Sequence, residues 1–387
     1  MDIKVGLQRA EELLTQLVRI PSVNPHFPGG VPEQQMADFM VSFFTHIGLQ
    51  VEERVVCPNR PNIIGILQGQ DADAPGLLLE AHMDTVQTKH MTINPFAGNI
   101  RNGKLYGRGA CDTKGSLAAM MLAMEWFAVR NITPPIPIYM AATIDEEVNY
   151  LGILDIVKSD YTFAAAIVGE PTDLEIVVAH KGCMRCEIEV TGVAAHSSNP
   201  EEGVNAINKI IPVLLQIGGP VFEQLKKKAH PLVGSPTICV TEIVGGVAHN
   251  TIPDSCRIII DRRTIPGEDG HQVWQDIVDH MRLLEEGEPS LTIKVHPPFL
   301  EDYAMETPSD SQIVRLLSEQ VTNRLNHANV VGVSYGTNAS KLAKAGIDSV
   351  VFGPGSIAQA HTKDEWIELE DVVKAAEILI NTILNYE

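Results

Sequence analysis

The sequence predicts an α/β protein with a mixed, largely parallel sheet, interrupted by an inserted α+β sandwich. The chain has 387 residues, which is more than one hydrophobic core usually organises. Apolar strand-like runs alternate with helical patterns up to about residue 180 and again from Ser309, which is typical of a parallel sheet. Between these regions polar and apolar residues alternate, as in antiparallel strands with one exposed face.

The first α/β region begins with a helical pattern over residues 2–19, which Pro21 ends. Short apolar runs then predict strands, and one longer run predicts a helix. The predicted strands are Asn62–Leu67, Leu77–Ala81, Ile136–Ala142 and Ala164–Gly169, and the helix is Ser116–Val129.

The inserted region contains two amphipathic helical patterns and about four strands, the content of a small sandwich. Its strands are Lys181–Gly192, Thr237–Val244, Cys256–Asp261 and Leu291–His296, and its helices are Gly203–Ile217 and Val273–Leu284. The final region predicts helix Ser311–Leu325, strand Ser349–Phe352 and helix Leu369–Leu384. We therefore expect catalytic segments at residues 1–179 and 299–387, and an inserted domain at 180–298.

The composition excludes some classes of partner. A net charge of −20 argues against nucleic acid, because phosphate contacts need basic surfaces. No run of about 20 apolar residues occurs, so we expect no membrane span. The start of the chain lacks the pattern of a secretory signal, so a cytoplasmic location is expected.

Two of the six cysteines, Cys183 and Cys186, form a C-x-x-C sequence. This spacing suits a redox pair or half of a zinc site, but no second C-x-x-C accompanies it. The pair also lies in a predicted strand, where residues i and i+3 face opposite sides. We expect reduced, structural cysteines.

Acidic and imidazole side chains follow several predicted strands. Because open α/β sheets bind ligands at the carboxyl ends of their strands, these groups are expected to converge. Asp112 follows the loop Tyr106–Gly109, and His361 lies after the last predicted strand. The others are His82 and Asp84 after Leu77–Ala81, Asp145, Glu146 and Glu147 after Ile136–Ala142, and Glu170 after Ala164–Gly169.

This set of two imidazoles and several carboxylates is one that zinc accepts. If the groups converge, three carboxylates would repel one another unless cations were present. Two divalent ions balance three carboxylates and one hydroxide, so a two-metal site is favoured over a single ion. Taken singly, a His-x-Asp pair or an Asp-Glu-Glu run is commonplace, and a solvated turn is the alternative for each. Their shared position after apolar strands supports the metal site.

The motifs occur in an order that resembles the M20 metallopeptidase and deacylase family over essentially the whole chain. They are His82-x-Asp84, Gly107-Arg108-Gly109-x-x-Asp112-x-Lys114-Gly115, Glu146-Glu147, Glu170-Pro171 and His361. The resemblance implies a zinc-peptidase-like catalytic domain with an inserted lid and dimerisation domain, and hence a homodimer. It also implies two metal ions, zinc in the first place, with cobalt or manganese as alternatives.

The resemblance assigns the metal ligands and the catalytic groups. His82 and Glu170 would bind one ion, Glu147 and His361 the other, and Asp112 would bridge them. The peptide bond after Asp112 is often cis in this family, so a cis bond is expected here.

Other residues are assigned to the reaction itself. Asp84 would hydrogen-bond His82 and fix its tautomer. Glu146 would be the general base for a hydroxide that bridges the two zinc ions and attacks the amide. His196 would stabilise the oxyanion, reaching the site of the other subunit. The positions matching substrate contacts are Asn250, Arg263, Gly336 and Thr337, of which Arg263 suits an α-carboxylate.

Within the family, the stretches around Glu170, Ala179–Gly182 and Gly353–His361 resemble the acetylornithine deacetylase branch. That likeness implies a cytoplasmic enzyme of amino-acid biosynthesis that hydrolyses N-acyl amino acids. The Arg-Arg-Gly-Ser stretch of the succinyl-diaminopimelate desuccinylase branch is absent, and Asn338 replaces a residue that is commonly acidic. A carboxypeptidase, a general aminoacylase, a desuccinylase or a non-catalytic binding homologue remain alternatives.

Overall fold

The computed structural model describes residues 3–386, which divide into two compact units. The first unit comprises Met1–Val178, Thr307–Val331 and Thr337–Glu387. The second comprises Ala179–Glu306 and the short segment Gly332–Gly336. Residues 299–306 and this short segment both belong to the second unit, although they lie outside the predicted insert of residues 180–298.

Ten helices occur among the described residues. They are α1 Leu7–Arg19, α2 Gln34–His46, α3 Lys114–Arg130, α4 Leu151–Val157, α5 Ala206–Gln216, α6 Phe222–Leu225, α7 Gly270–Gly287, α8 Gln312–Leu325, α9 Ala339–Lys344 and α10 Leu369–Leu384. A 3-10 turn at Pro200–Glu202 precedes α5, and a π-helical turn at Ile217–Val221 joins α5 to α6.

Nineteen strands occur among the same residues. They are β1 Gln50–Cys57, β2 Arg60–Leu67, β3 Gly76–His82, β4 Asn99–Arg101, β5 Lys104–Tyr106, β6 Ile138–Thr143, β7 Phe163–Val168, β8 Ile176–His180, β9 Gly182–Thr191, β10 Ala195–His196, β11 Thr237–Gly245, β12 Thr251–Ile252, β13 Ser255–Thr264, β14 Ile293–Val295, β15 Leu300–Asp302, β16 Met305–Glu306, β17 Val330–Val333, β18 Ser349–Val351 and β19 Trp366–Glu368.

The first unit is built on a mixed sheet in the order β1-β2-β6-β3-β7-β18-β8. Its centre is parallel, since β3 pairs in parallel with β6 and β7, and β7 with β18. Strands β1, β2 and β8 run antiparallel to their neighbours. The predicted α/β class with a mixed, largely parallel sheet is therefore confirmed.

Helix α3 packs on β3 and is flanked by α1 and α10. It is buried around nearly its whole circumference, from Leu117 to Phe127. An all-round apolar helix of this kind is stable only inside a protein core. Because α3 begins directly after Thr113, this packing holds the start of the helix, and the loop before it, against the central strands.

The second unit has its own antiparallel sheet, in the order β11-β13-β9-β14, with β15 also paired to β9. Helices α5 and α7 pack on this sheet and enclose a separate core that includes Ile188, Ile258 and Ile277. Strand β11 forms one edge. Cys186 lies in this core, whereas Cys183 lies near Asp261, and both are free thiols.

No helix between residues 3 and 386 combines the length and the apolar character needed to cross a lipid bilayer.

Candidate metal centre

The strands that carry the predicted ligands end at one edge of the sheet in the first unit. His82 is the last residue of β3 and pairs with Thr143 at the end of β6. Glu147 lies in the loop that follows β6, and Glu170 lies two residues beyond β7. Since β3, β6, β7 and β18 are parallel, their carboxyl ends share this edge, as open α/β sheets require for a ligand site.

Two groups of potential ligand atoms form here, and they share Asp112. In the first group, His82 Nε2 lies 3.1 Å from Asp112 Oδ1 and 3.8 Å from Glu170 Oε1. In the second group, His361 Nε2 lies 3.2 Å from both Asp112 Oδ2 and Glu147 Oε1. Within each group the ligand atoms lie within 4.8 Å of one another. The structure thus brings together all five predicted ligands.

Asp112 presents one carboxylate oxygen to each group, because its two oxygens contact different imidazoles. The peptide bond between Asp112 and Thr113 is cis, which confirms the expectation from the sequence. Thr113 donates its hydroxyl hydrogen to the carbonyl of Gly169 at 2.7 Å, linking this turn to the segment that bears Glu170.

The electrostatics show an excess of buried carboxylates. Burial and the nearby charge of Asp112 raise the pKa of Glu170 well above its usual range, and the same causes raise the pKa of Glu147. Burial would also raise the pKa of Asp112, but hydrogen bonds from His361 and His82 outweigh it and hold that pKa below its usual range. Asp112 and Glu147 raise the pKa of His361 to about 11.

These shifts mean that protons on the imidazoles balance part of the negative charge. Carboxylate oxygens and neutral imidazole nitrogens are ligands that zinc and similar divalent ions accept. The donor set therefore fits two divalent cations, which would replace protons as the balancing charge.

Glu146 is half-buried beside these groups. Burial raises its pKa well above the usual range; repulsion from Glu147 and Asp112 adds to this effect, against an opposing attraction from His82. Its backbone N–H donates to Asp84 Oδ1 at 3.1 Å.

Asp84 hydrogen-bonds His82, as predicted, and it does so through its backbone carbonyl. The ring atom Nδ1 of His82 lies 2.8 Å from the backbone carbonyl of Asp84, but 3.6 Å from its carboxylate. The carbonyl, not the carboxylate, is thus the hydrogen-bond acceptor that orients the ring. The carboxylate instead accepts hydrogen bonds from the backbone N–H groups of Glu146 and Glu147, so it shapes the turn that carries both.

A buried polar network that no sequence motif indicates supports the same turn. Asn24 donates from Nδ2 to both Asp84 and Asp145, at 2.8 Å each. Arg60 donates to Asp145 and forms a two-point ion pair with Glu33, which is fully buried. Asn24, Glu33 and Arg60 lie far from the turn in sequence, and no spacing pattern marks them.

The remaining predicted residues are divided between the units. His196 and Asn250 lie close together in the second unit, where β10 pairs with β12 and Ser197 N donates to Asn250 O. Arg263 lies on β13 and forms an ion pair with Asp261 at 2.7 Å. Gly336 belongs to the second unit, whereas Thr337 is buried in the first, where its hydroxyl accepts a hydrogen bond from the N–H of Ala339.

A cavity of about 210 Å³ adjoins His361 in the first unit. Phe27 and Val86 provide apolar surface, and Lys363 provides positive charge. A cavity of this size beside the ligand groups can accept part of a small molecule.

Comparison with known proteins identifies the family. The model of peptidase family M20/M25/M40 matches residues 78–385. An acetylornithine deacetylase of Myxococcus xanthus is 31% identical over 328 residues, which are 84% of each chain.

Two solved structures share the fold. A tripeptidase from Staphylococcus aureus superposes with a TM-score of 0.80 at 21% identity, covering 99% of each chain. An M20 family metallo-carboxypeptidase from Sulfolobus solfataricus has a TM-score of 0.80 at 19% identity, covering 97% of this chain and 98% of that one. By its family match and its deacetylase relative, the chain belongs to peptidase family M20/M25/M40, and it is a metal-dependent hydrolase of amide bonds.

Proposed function

We propose that this protein hydrolyses the amide bond of an N-acyl amino acid, in the manner of an acetylornithine deacetylase. The observation that carries the proposal is the pair of ligand groups joined by Asp112, with Glu146 beside them. The similarity to the Myxococcus xanthus deacetylase supports the choice of an acyl amino acid over other amides.

Five side chains would hold two metal ions, and we propose zinc in both positions, with cobalt or manganese as substitutes. His82, Glu170 and Asp112 would bind one ion, and Asp112, Glu147 and His361 the other. When bound, such ions polarise a carbonyl group and lower the pKa of water to about 7.

The chain's own residues then complete the reaction. Glu146 accepts a proton from the attacking water and delivers it to the leaving nitrogen. Asp84 keeps Glu146 in place, since its carboxylate binds the backbone N–H of that residue.

His196 is proposed as a donor to the carbonyl oxygen as negative charge develops there. Its Nδ1 accepts a hydrogen bond from the N–H of Ser198 at 3.2 Å, which leaves the proton of a neutral ring on Nε2. Arg263, Asn250, Gly336 and Thr337 are proposed to bind the amino-acid part, with the guanidinium on the α-carboxylate.

A hydrolysis panel tests this proposal. Zinc-supplied protein is incubated with N-acetyl, N-formyl and N-succinyl amino acids, including N-acetylornithine, and with dipeptides. We expect the N-acetyl compounds to be cleaved with the highest kcat/KM. Preferential cleavage of dipeptides would replace the proposal with a peptidase, and binding without cleavage would indicate a non-catalytic homologue.

A further inference from the structure

Glu365 is a buried carboxylate whose contacts all lie around the proposed metal centre. It is 0% exposed and belongs to the first unit, four residues after His361. It lies in none of the sequence motifs named above, and the five proposed ligands and Glu146 do not explain why a carboxylate lies there.

Four donors converge on this one carboxylate. Oε1 accepts from the backbone N–H groups of Cys111 and Asp112, at 2.8 and 3.0 Å. Oε2 accepts from the N–H of Gly109 at 3.1 Å and from Arg108 Nη1 at 2.6 Å. Three N–H groups of one short loop thus form an anion-binding hollow, and Glu365 fills it.

The same two segments are joined at further points. The N–H of Gly107 donates to the backbone carbonyl of Glu365 at 3.0 Å, and Arg108 Nη2 donates to the carbonyl of Thr362 at 3.3 Å. Segment 107–112 is therefore fixed to segment 361–365. The first contains Asp112 and the second contains His361, whose side chains belong to the same ligand group.

We propose that Glu365 is a positioning residue that fixes Asp112 relative to His361 and so sets the affinity of the protein for its metal ions. The backbone of Asp112 is held by Glu365, while its two carboxylate oxygens remain directed at His82 and His361. Partners that orient metal ligands in this way typically change metal affinity 10- to 100-fold when they are replaced. The inference rests on the proposed assignment of Asp112 and His361 as ligands.

Glutamine is the informative replacement, because it keeps the volume but replaces one oxygen with an NH2 group. That group would face N–H donors whichever way the amide turns, so at least one bond to the Asp112 loop is lost. Glu377→Gln is the matched control. Glu377 is also a buried carboxylate of the first unit, accepting from the N–H of Val5 at 3.1 Å and from Arg324 at 2.7 Å.

The experiment is calorimetric titration of Zn²⁺ into metal-depleted wild type, Glu365→Gln and Glu377→Gln, with the melting temperature of each metal-free protein measured in parallel. We expect Glu365→Gln to bind zinc about 10- to 100-fold more weakly, and Glu377→Gln to bind like wild type. Glu365→Asp, which keeps the charge, should recover part of the loss. The metal-free melting temperatures of the two glutamine variants should fall by similar amounts.

Zinc affinity of Glu365→Gln within twofold of wild type, or a loss equalled by Glu377→Gln, overturns the proposal. If Glu365→Gln does not fold, the same comparison is made between Glu365→Asp and Glu377→Asp. Wild-type protein that binds no zinc would overturn both this inference and the proposed function. Zinc binding that is indifferent to residue 365 would overturn this inference alone.

Discussion

At the scale of single residues, Asp84, Glu146 and Glu147 carry similar carboxylate groups but have different roles. The carboxylate of Asp84 accepts hydrogen bonds from Asn24 and from two backbone N–H groups, which gives it a structural role. Glu147 lies 3.2 Å from His361 Nε2 and is one of the proposed metal ligands. Glu146 is the carboxylate of this turn that has neither of these roles, which is what a proton acceptor requires.

We therefore expect Glu146→Gln to abolish turnover while leaving metal binding largely intact. The amide occupies the same volume but cannot take the proton of water, and loss of a general base typically costs about 10²–10⁴ in rate. Single-turnover kinetics with calorimetric zinc binding measures both quantities. Retention of most of kcat would exclude Glu146 as the base.

The cysteines give a second prediction at this scale. Burial raises the pKa of Cys183 to about 11 and that of Cys186 to about 12. At pH 8 roughly one thousandth or less of each thiol is then thiolate, the reactive form. Cys111 and Cys256 are buried as well, whereas Cys57 is half-buried and Cys239 is exposed.

In native protein at pH 8, Ellman's reagent should quickly modify Cys57 and Cys239 and leave the other cysteines until the chain is unfolded. Mass spectrometry of the labelled peptides identifies the sites. A disulfide between Cys183 and Cys186 in freshly purified protein would contradict the structural role inferred for both.

At the scale of elements, apolar periodicity predicted the elements with the strongest pattern. Helix α10 has the predicted bounds, Leu369–Leu384. Strand β1 was not predicted, since it is an antiparallel edge strand that carries charged residues such as Glu52 and Arg54. Helix α4 has only seven residues, too few to show a period.

Some residues of the candidate site were likewise predictable from the sequence, and others were not. The ligands follow strands, so topology alone predicted that they would meet. Asn24, Arg60 and Glu365 approach the site from distant parts of the chain, and their partners are mostly backbone groups or loop residues. Such contacts depend on the folded geometry of loops, which sequence spacing does not encode.

The loop before α3 permits a prediction about backbone geometry. Gly109 has a φ of +81°, and a Cβ atom there would lie 2.8 Å from Thr85 Cγ2. Gly109→Ala should lower the free energy of unfolding by about 1–3 kcal/mol, through the left-handed backbone and this contact. Gly218→Ala is the control, because a Cβ at Gly218 meets no atom within 4 Å, and little change is expected. Urea denaturation of both variants measures the difference, and equal stabilities would contradict the argument.

At the scale of the whole molecule, the second unit presents an apolar surface, composed of Ile207, Ile211 and Leu215 on α5 with Ile243 and Val244 on β11. The apolar residues of α5 and of β11 adjoin one another, since a Cβ atom on Gly245 of β11 would lie 3.1 Å from Cγ1 of Ile207 on α5. Strand β11 is an edge strand of its sheet. An edge strand can pair with its own copy about a twofold axis. We therefore propose that a second copy of this chain binds this apolar surface.

If wild type forms the proposed dimer, the double variant Ile211→Lys, Leu215→Lys should be monomeric, because lysine ammonium groups resist burial in an apolar interface. Sedimentation velocity measures the change. Val129→Lys, at an exposed apolar position of α3 in the other unit, is the control and should leave the dimer intact. A monomeric wild type, or a dimeric double variant, would exclude this surface as the interface.

The last prediction concerns His196, which we expect to act in the active site of the other subunit of that dimer. It lies in the second unit, apart in sequence from the ligands, and its side chain is exposed. The alternative is an exposed loop histidine held only by Ser198.

Mixing Glu146→Ala with His196→Ala protein under subunit exchange distinguishes action in the other subunit from this alternative. If His196 acts in trans, half of the randomly paired dimers are mixed and each holds one complete site, so about a quarter of wild-type activity returns. If it acts within its own chain, every site lacks one of the two residues. Activity that stays at the level of the separate variants, with exchange demonstrated by mass spectrometry, would therefore eliminate the shared site.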